Sequence, residues 1–183
     1  SVLTTLQDST GFMWFGTQQG LNRYDGTQFK VFTEEQDHIQ NNVITTLFED
    51  KNQLIWVISP QSREAIQFTD YIDILDPLAL TFTPFDSFFN TRSPILQKDI
   101  HRIYTDKDAL YISTNTGSLY QYHGDYSFEH LYQNQSRKPI HNIVPKKEGL
   151  WISNTKMHFI TIIFIVFYSN NIQAFCTNKT IIA

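Results

Sequence analysis

The sequence predicts an all-β fold, a partial β-propeller of about four blades, each a four-stranded antiparallel sheet. Three observations predict it. A phrase recurs: VLTTLQDSTGFMWFGT at residues 2–17 returns as ITTLFEDKNQLIWVIS at residues 44–59, with Asp8 and Asp50, Phe12 and Leu54, and Trp14 and Trp56 each 42 apart. Two further copies follow, IHRIYTDKDALYISTNTG with Asp106 and Tyr111, and IHNIVPKKEGLWISNT with Trp151. Between them Ile100, Ile103 and Ile112 recur as Ile140, Ile143 and Ile152, 40 residues on. A period of about 40–45 residues built from strands is the spacing of a propeller blade. Aromatic residues make up 15% of the chain, with 15 Phe and 9 Tyr, and aromatic and β-branched side chains suit the pleated surface of strands.

The elements follow in order within each repeat. An alternating apolar segment opens it, as in Val43, Thr45, Leu47 against Ile44, Thr46, Phe48. A turn of Asp, Lys, Asn or Gly comes next: Asp8 to Gly11, Asp50 to Asn52, Asp106 to Asp108. Asp and Asn bond their own backbone in turns, and Gly takes positive φ without steric cost. A second strand then runs over Phe12–Gly16, Leu54–Ser59, Leu110–Thr114 and Leu150–Ser153, which makes a strand–turn–strand unit. In the first repeat a turn at Gly20, a short strand, a turn at Gly26 and an outer strand Phe29–Phe32 complete the blade. The third repeats this with Gly117 to Gly124 and Ser127–Tyr132. In the longer second repeat, Ala65–Phe68 and Tyr71–Leu75 are read as the third-strand region and Leu80–Phe85 as the fourth. The aromatic segment Phe82 to Phe89 and Pro94 then connect to the next repeat.

These readings divide residues 1–155 into repeats of about 1–40, 41–98, 99–138 and an incomplete 139–155. Residues 156–183 form an atypical apolar tail. Its run Phe159–Tyr168 is far short of the ~20 residues a spanning helix needs and reads as a buried or aggregation-prone strand. The abrupt change of style points to a non-native end, such as a shifted reading frame. A Gly-Leu-type strand continuing in another frame of the coding DNA is the expected finding, and its absence would dismiss the idea.

Charge and cysteine usage exclude several functions. The formal net charge is −4 with no basic block, so the electrostatic footprint of a nucleic-acid binder is missing. One cysteine, Cys176, allows no internal disulfide and no cysteine metal cluster. The six histidines show no HExxH or paired spacing. Ser9 and Ser59 lack a nucleophile elbow. Asp8, Asp50 and Asp106 stand one or two acids to a turn, whereas calcium loops alternate several oxygen ligands along one loop. No catalytic residue, metal ligand or cofactor motif is predicted.

The phrase Asp8-x-x-Gly11-x-x-Trp14-x-Gly16-Thr17-x-x-Gly20-Leu21-x-Arg23-Tyr24-Asp25-Gly26 resembles the two-component regulator propeller repeat. The second copy keeps Asp50 and Trp56 and loses the Gly-Thr and Gly-Leu markers. The third keeps Asp106, Ser113-Thr114, Gly117, Tyr122 and Gly124, and the fourth keeps Gly149, Leu150 and Trp151. The resemblance covers roughly residues 1–155. It implies radial four-stranded blades in the periplasmic sensor region of a hybrid two-component system histidine kinase. It further implies a membrane-anchored parent with this segment on the extracytoplasmic face of the inner membrane. An oligosaccharide is then the implied ligand, and the remaining blades, the kinase parts and a second parent copy are the implied partners. The segment itself is expected to be no enzyme. Two alternatives stay open: a fragment of a propeller lyase or glycosidase, and a protein-interaction propeller. A downstream membrane span and kinase would favour the sensor, and a cytoplasmic context would favour the interaction module.

Two groups of residues carry competing readings. Trp14, Trp56, Tyr111 and Trp151 recur at one place in the repeat, so packing between blades is favoured over a sugar-stacking row. Arg23, Tyr24 and Asp25 are the candidate ligand contacts, set against a strand end whose Asp-Gly turn fixes register. The markers Asp8, Gly11, Trp14, Asp50, Trp56, Asp106, Tyr111 and Trp151 are read as structural.

Overall fold

A computed structural model describes residues 1–60, 70–106, 109–146, 149–156, 159–168 and 171–181. The predicted strand region Ala65–Phe68 lies outside them. The chain forms two compact units: Ser1–Lys98 with His123–Ser127, and Asp99–Tyr122 with Phe128–Ala183.

Four sheets follow one another along the chain, each with its strands in sequence order and antiparallel. The first holds β1 (Val2–Gln7), β2 (Met13–Thr17), β3 (Gly20–Tyr24) and β4 (Phe29–Phe32). The second holds β5 (Thr46–Glu49), β6 (Ile55–Pro60), β7 (Asp70–Asp76) and β8 (Thr81–Pro84). The third holds β9 (Ile100–Asp106), β10 (Ala109–Thr114), β11 (Ser118–Gly124) and β12 (Ser127–Gln133), and the fourth β13 (Asn142–Lys146), β14 (Gly149–Lys156), β15 (Phe159–Tyr168) and β16 (Asn171–Ile181). The fold class is all-β, a partial propeller of four blades. The chain from 159 onward supplies the third and fourth strands of the last sheet, with Trp151 opposite Phe164 and Phe164 opposite Phe175.

Between the first two sheets, Thr33 caps a short helix α1 (Glu34–Asp37), its side chain accepting from the Gln36 amide. After the second sheet comes α2 (Phe85–Phe89), inside the stretch read from the sequence as a plain connection. The four-residue spacing of Phe85 and Phe89 sets both rings on one helix face, and both are fully buried. They lie against Trp56, with ring centroids 5.9 and 5.6 Å away.

Packing follows one rule set by the two-residue alternation of strands. In the first unit Trp14, Leu21 and Phe32 of the first sheet meet Leu47, Ile55, Val57 and Leu75 of the second, with Ile39 and Ile44 from the connection filling the seam. In the second unit Tyr111, Leu119 and Leu131 of the third sheet meet Ile143, Leu150 and Ile152 of the fourth. In each unit the aromatic residue of the first sheet's second strand, Trp14 or Tyr111, therefore faces the following sheet, and the residues flanking that sheet's own aromatic face back. Trp14 and Trp56 are 0% exposed and Tyr111 is buried. A large apolar side chain gains about 1.5–3 kcal/mol on such burial. Trp151 is half-buried, less enclosed than Trp14 and Trp56.

Candidate functional site

The acidic turns are built from local donors. In the first, Asp8 Oδ1 accepts from the Thr10 amide (3.0 Å), the Thr10 hydroxyl (2.7 Å) and the Phe12 amide (2.9 Å), and Oδ2 accepts from the Trp14 indole at 2.7 Å. Asp50 repeats the pattern with the Asn52 and Leu54 amides at 2.9 and 3.0 Å and the Trp56 indole at 3.2 Å. Gly11 at φ 95° and Gln53 at φ 63° take the same left-handed place in the two turns. Burial alone would push the Asp8 carboxyl up, but the bonds from Trp14, Thr10 and the Phe12 amide together hold it below its ordinary value. These carboxylates are occupied by the turn. Asp106 differs: it is exposed at the end of β9, opposite Ala109, where the third repeat has one residue fewer between acid and aromatic.

Arg23, Tyr24 and Asp25 sit where β3 ends. The Arg23 guanidinium lies 4.5 Å from the Phe12 ring centre and 5.8 Å from that of Trp14. The Tyr24 hydroxyl donates to the Gly26 carbonyl at 2.6 Å, and its ring stacks on Phe29 at 4.6 Å. Asp25 Oδ1 accepts from the Gln28 amide and from the hydroxyl and amide of Thr27, at 2.7–2.8 Å. Those bonds, the Gln28 amide foremost, hold its carboxyl at about 2. The three side chains share a strand end, and each has intramolecular contacts that fix a hairpin.

A shallow concavity of about 370 Å³ opens on the first sheet, lined by Ser1, Val2, Thr17, Gln19, Asn22 and Val31. None of those side chains ionises, so the concavity offers hydrogen bonds and apolar surface and no acid–base pair.

A polar cluster that the sequence reading did not single out lies in the second unit, where the first strands of its two sheets begin. The rings of His101 and His141 meet edge to face, with centroids 5.2 Å apart. The Arg102 guanidinium donates to the His141 carbonyl at 3.3 Å, and the Tyr104 hydroxyl donates to the Ile140 carbonyl at 3.3 Å. Burial, and then the charges of His141 and Arg102, push the His101 pKa below its ordinary value, against a hydrogen bond with Asn115 that favours the charged form. His101 and His141 are 40 apart in sequence, the repeat offset itself, so they take equivalent places in adjacent blades. The doubled tetrad IHRI and IHNI was the signal. Among the described residues no group of three or more His, Cys, Asp or Glu side chains is arranged to hold a metal ion.

No family model matches the chain, and no curated protein matches it in sequence. Solved structures do. The extracellular domain assigned to a one component system of B. thetaiotaomicron superposes with a TM-score of 0.54 at 14% identity, over 98% of this chain and 29% of that one. Two further structures, each of an extracellular domain assigned to a hybrid two component system of the same organism and one of them of the same protein as the first, give TM-scores of 0.39 at 21% identity and 0.41 at 13%. They cover 99% and 98% of this chain and 30% and 37% of theirs. The first likeness shows the fold, and this chain spans less than a third of that neighbour's length.

Proposed function

We propose that this chain belongs to the extracytoplasmic, ligand-sensing part of a hybrid two-component signalling sensor, that it performs no catalysis, and that the ligand is an oligosaccharide. The observation that carries the reading is the repeat itself. The phrase of residues 8–26, which resembles the two-component regulator propeller repeat, folds into a blade, and the four-blade fold matches an extracellular domain of a bacterial signalling system. No helix among the described residues is long and apolar enough to cross a membrane.

Sugars are bound by planar polar side chains that pair with hydroxyl groups, beside an aromatic face. Of the polar clusters described, the one formed by His101, His141 and Arg102 suits this chemistry best: two imidazole rings stand edge to face, with a guanidinium beside them. Signalling requires that the ligand bind one of two conformations more tightly. Calorimetric titration of the intact extracytoplasmic region with glycan fragments, paired with a turnover assay, tests the reading. Saturable binding without turnover, weakened at least tenfold by His101→Ala, is the expected result. Turnover that disappears on replacing a carboxylate would move the protein to the enzymes.

A further inference from the structure

A bulge builds the cluster of His101, Arg102 and His141. In the ladder of β9 and β10, Arg102 stands opposite Ser113 and Ile100 opposite Thr114, so His101 is an extra residue with no partner across the strands. Regular alternation sends neighbouring side chains to opposite faces, and a bulge breaks the alternation and re-aims a side chain. The first sheet has the same irregularity between Val2 and Thr4, with the apolar Leu3 at the extra place. The bulge therefore belongs to the blade, and the basic chemistry at it belongs to the third blade.

The basic groups have no counter-charge. Arg102 is exposed, and its guanidinium bonds to neutral oxygens, the His141 carbonyl and the Tyr104 hydroxyl. A guanidinium carries five N–H donors in a planar fork, more than those two acceptors use. The charges that act on His101 are those of His141 and Arg102, both basic, and its hydrogen bond is to the neutral Asn115 side chain. Among the described residues no carboxylate bonds to any of the three. Burial first, and then the two basic neighbours, disfavour the charged form of His101, and an anion seated among them offsets the second cost. A guanidinium takes a carboxylate or a tetrahedral oxyanion through paired, charge-assisted N–H bonds.

We infer that this site takes an acidic saccharide, with a uronate carboxylate or a sulfate ester seated between Arg102 and the two imidazoles. The inference rests on the ligand-sensing reading above and narrows its ligand class.

Calorimetric titration of the intact extracytoplasmic region with uronate-containing and sulfated oligosaccharides, each paired with its carboxyl-reduced or desulfated form, tests it. An acidic member of the set should bind about tenfold or more tightly than its neutral partner, the worth of a hydrogen-bonded charge. Arg102→Gln should remove that advantage and alter the affinity of the neutral form by about twofold at most. Arg102 is exposed, and unchanged far-ultraviolet circular dichroism verifies the variant's fold. Arg102→Lys, which keeps the charge and loses the fork, replaces a Gln variant that fails this check and should diminish the advantage. Neutral forms that bind as tightly as the acidic ones overturn the inference and leave the oligosaccharide reading standing. So does an acidic preference undiminished in the Arg102 variant, or inorganic sulfate that binds as tightly as the sulfated glycan. Binding of no glycan in either form overturns both readings.

Discussion

The Trp14 indole is tied to Asp8 across 2.7 Å, and the same carboxylate holds the backbone of the turn that separates them. One side chain thus closes a hairpin and anchors the largest ring of the first core. Asp8→Ala would leave the indole N–H and the turn amides without an acceptor, at a cost of about 2–3 kcal/mol, read from urea denaturation. The folded chain keeps Asp8 ionised to lower pH than the unfolded chain does. Its contribution is therefore complete above the unfolded value of 3.8 and drains away as pH falls through the lower folded one. The acid limb of the stability profile should flatten in the variant. An unchanged limb would show that the indole bond does not hold the proton off.

Gly20 has φ 108°, and a Cβ there would run into the Phe32 carbonyl. Gly26 has φ 98° with open space around it. Gly20→Ala should cost about 2–4 kcal/mol, from the left-handed backbone and the overpacking together. Gly26→Ala should cost only the backbone share, about 1–2 kcal/mol. Equal losses in thermal or chemical unfolding would mean that the carbonyl moves aside freely.

Asp73 is 1% exposed and accepts from the Gln40 amide at 2.9 Å and its side-chain amide at 3.1 Å. Burial raises its pKa despite those bonds. The folded state therefore keeps this proton to higher pH than the unfolded chain. Its presence makes stability fall as pH rises from 3.8 toward the folded value, with no further change above. Asp73→Asn should remove that segment of the profile. A difference between the two proteins that stays constant with pH would contradict it.

His141→Gln should raise the pKa of His101 toward its ordinary 6.5, because it removes a neighbouring positive charge and leaves the burial in place. A proton NMR titration of the imidazole resonances reads this directly. An unmoved His101 would mean that burial and Arg102, without His141, set its value.

The parts of this fold legible in the sequence are those fixed by local physics. Asp8 and Asp50 find their acceptor roles within six residues, so the turn and the aromatic after it carry a recognisable spacing. Alternation did the same for the second strands, which hold Trp14, Trp56, Tyr111 and Trp151 as read. The helix α2 escaped because a run of Phe around Asp86 and Ser87 has strand composition, and only the spacing of Phe85 and Phe89 hinted at a face turned to Trp56. The meeting of His101 and His141 escaped for a different reason: the doubled tetrads IHRI and IHNI give the two histidines equivalent repeat places, but whether those places touch depends on how consecutive blades align. For Arg23, Tyr24 and Asp25 the sequence located a strand end, and the contacts that hold it appear only in three dimensions.

The placement of tryptophan has an optical consequence. Trp14 and Trp56 both lie in the first unit, enclosed and hydrogen-bonded to carboxylates, whereas Trp151, in the second, is half-buried. Intrinsic fluorescence therefore arises from two environments that map onto two parts of the chain. A protein with Trp151 replaced by Phe would emit from the first unit alone, and one retaining only Trp151 from the second. Melting curves of the pair, recorded by emission wavelength, would tell whether the units unfold as one cooperative body or in succession.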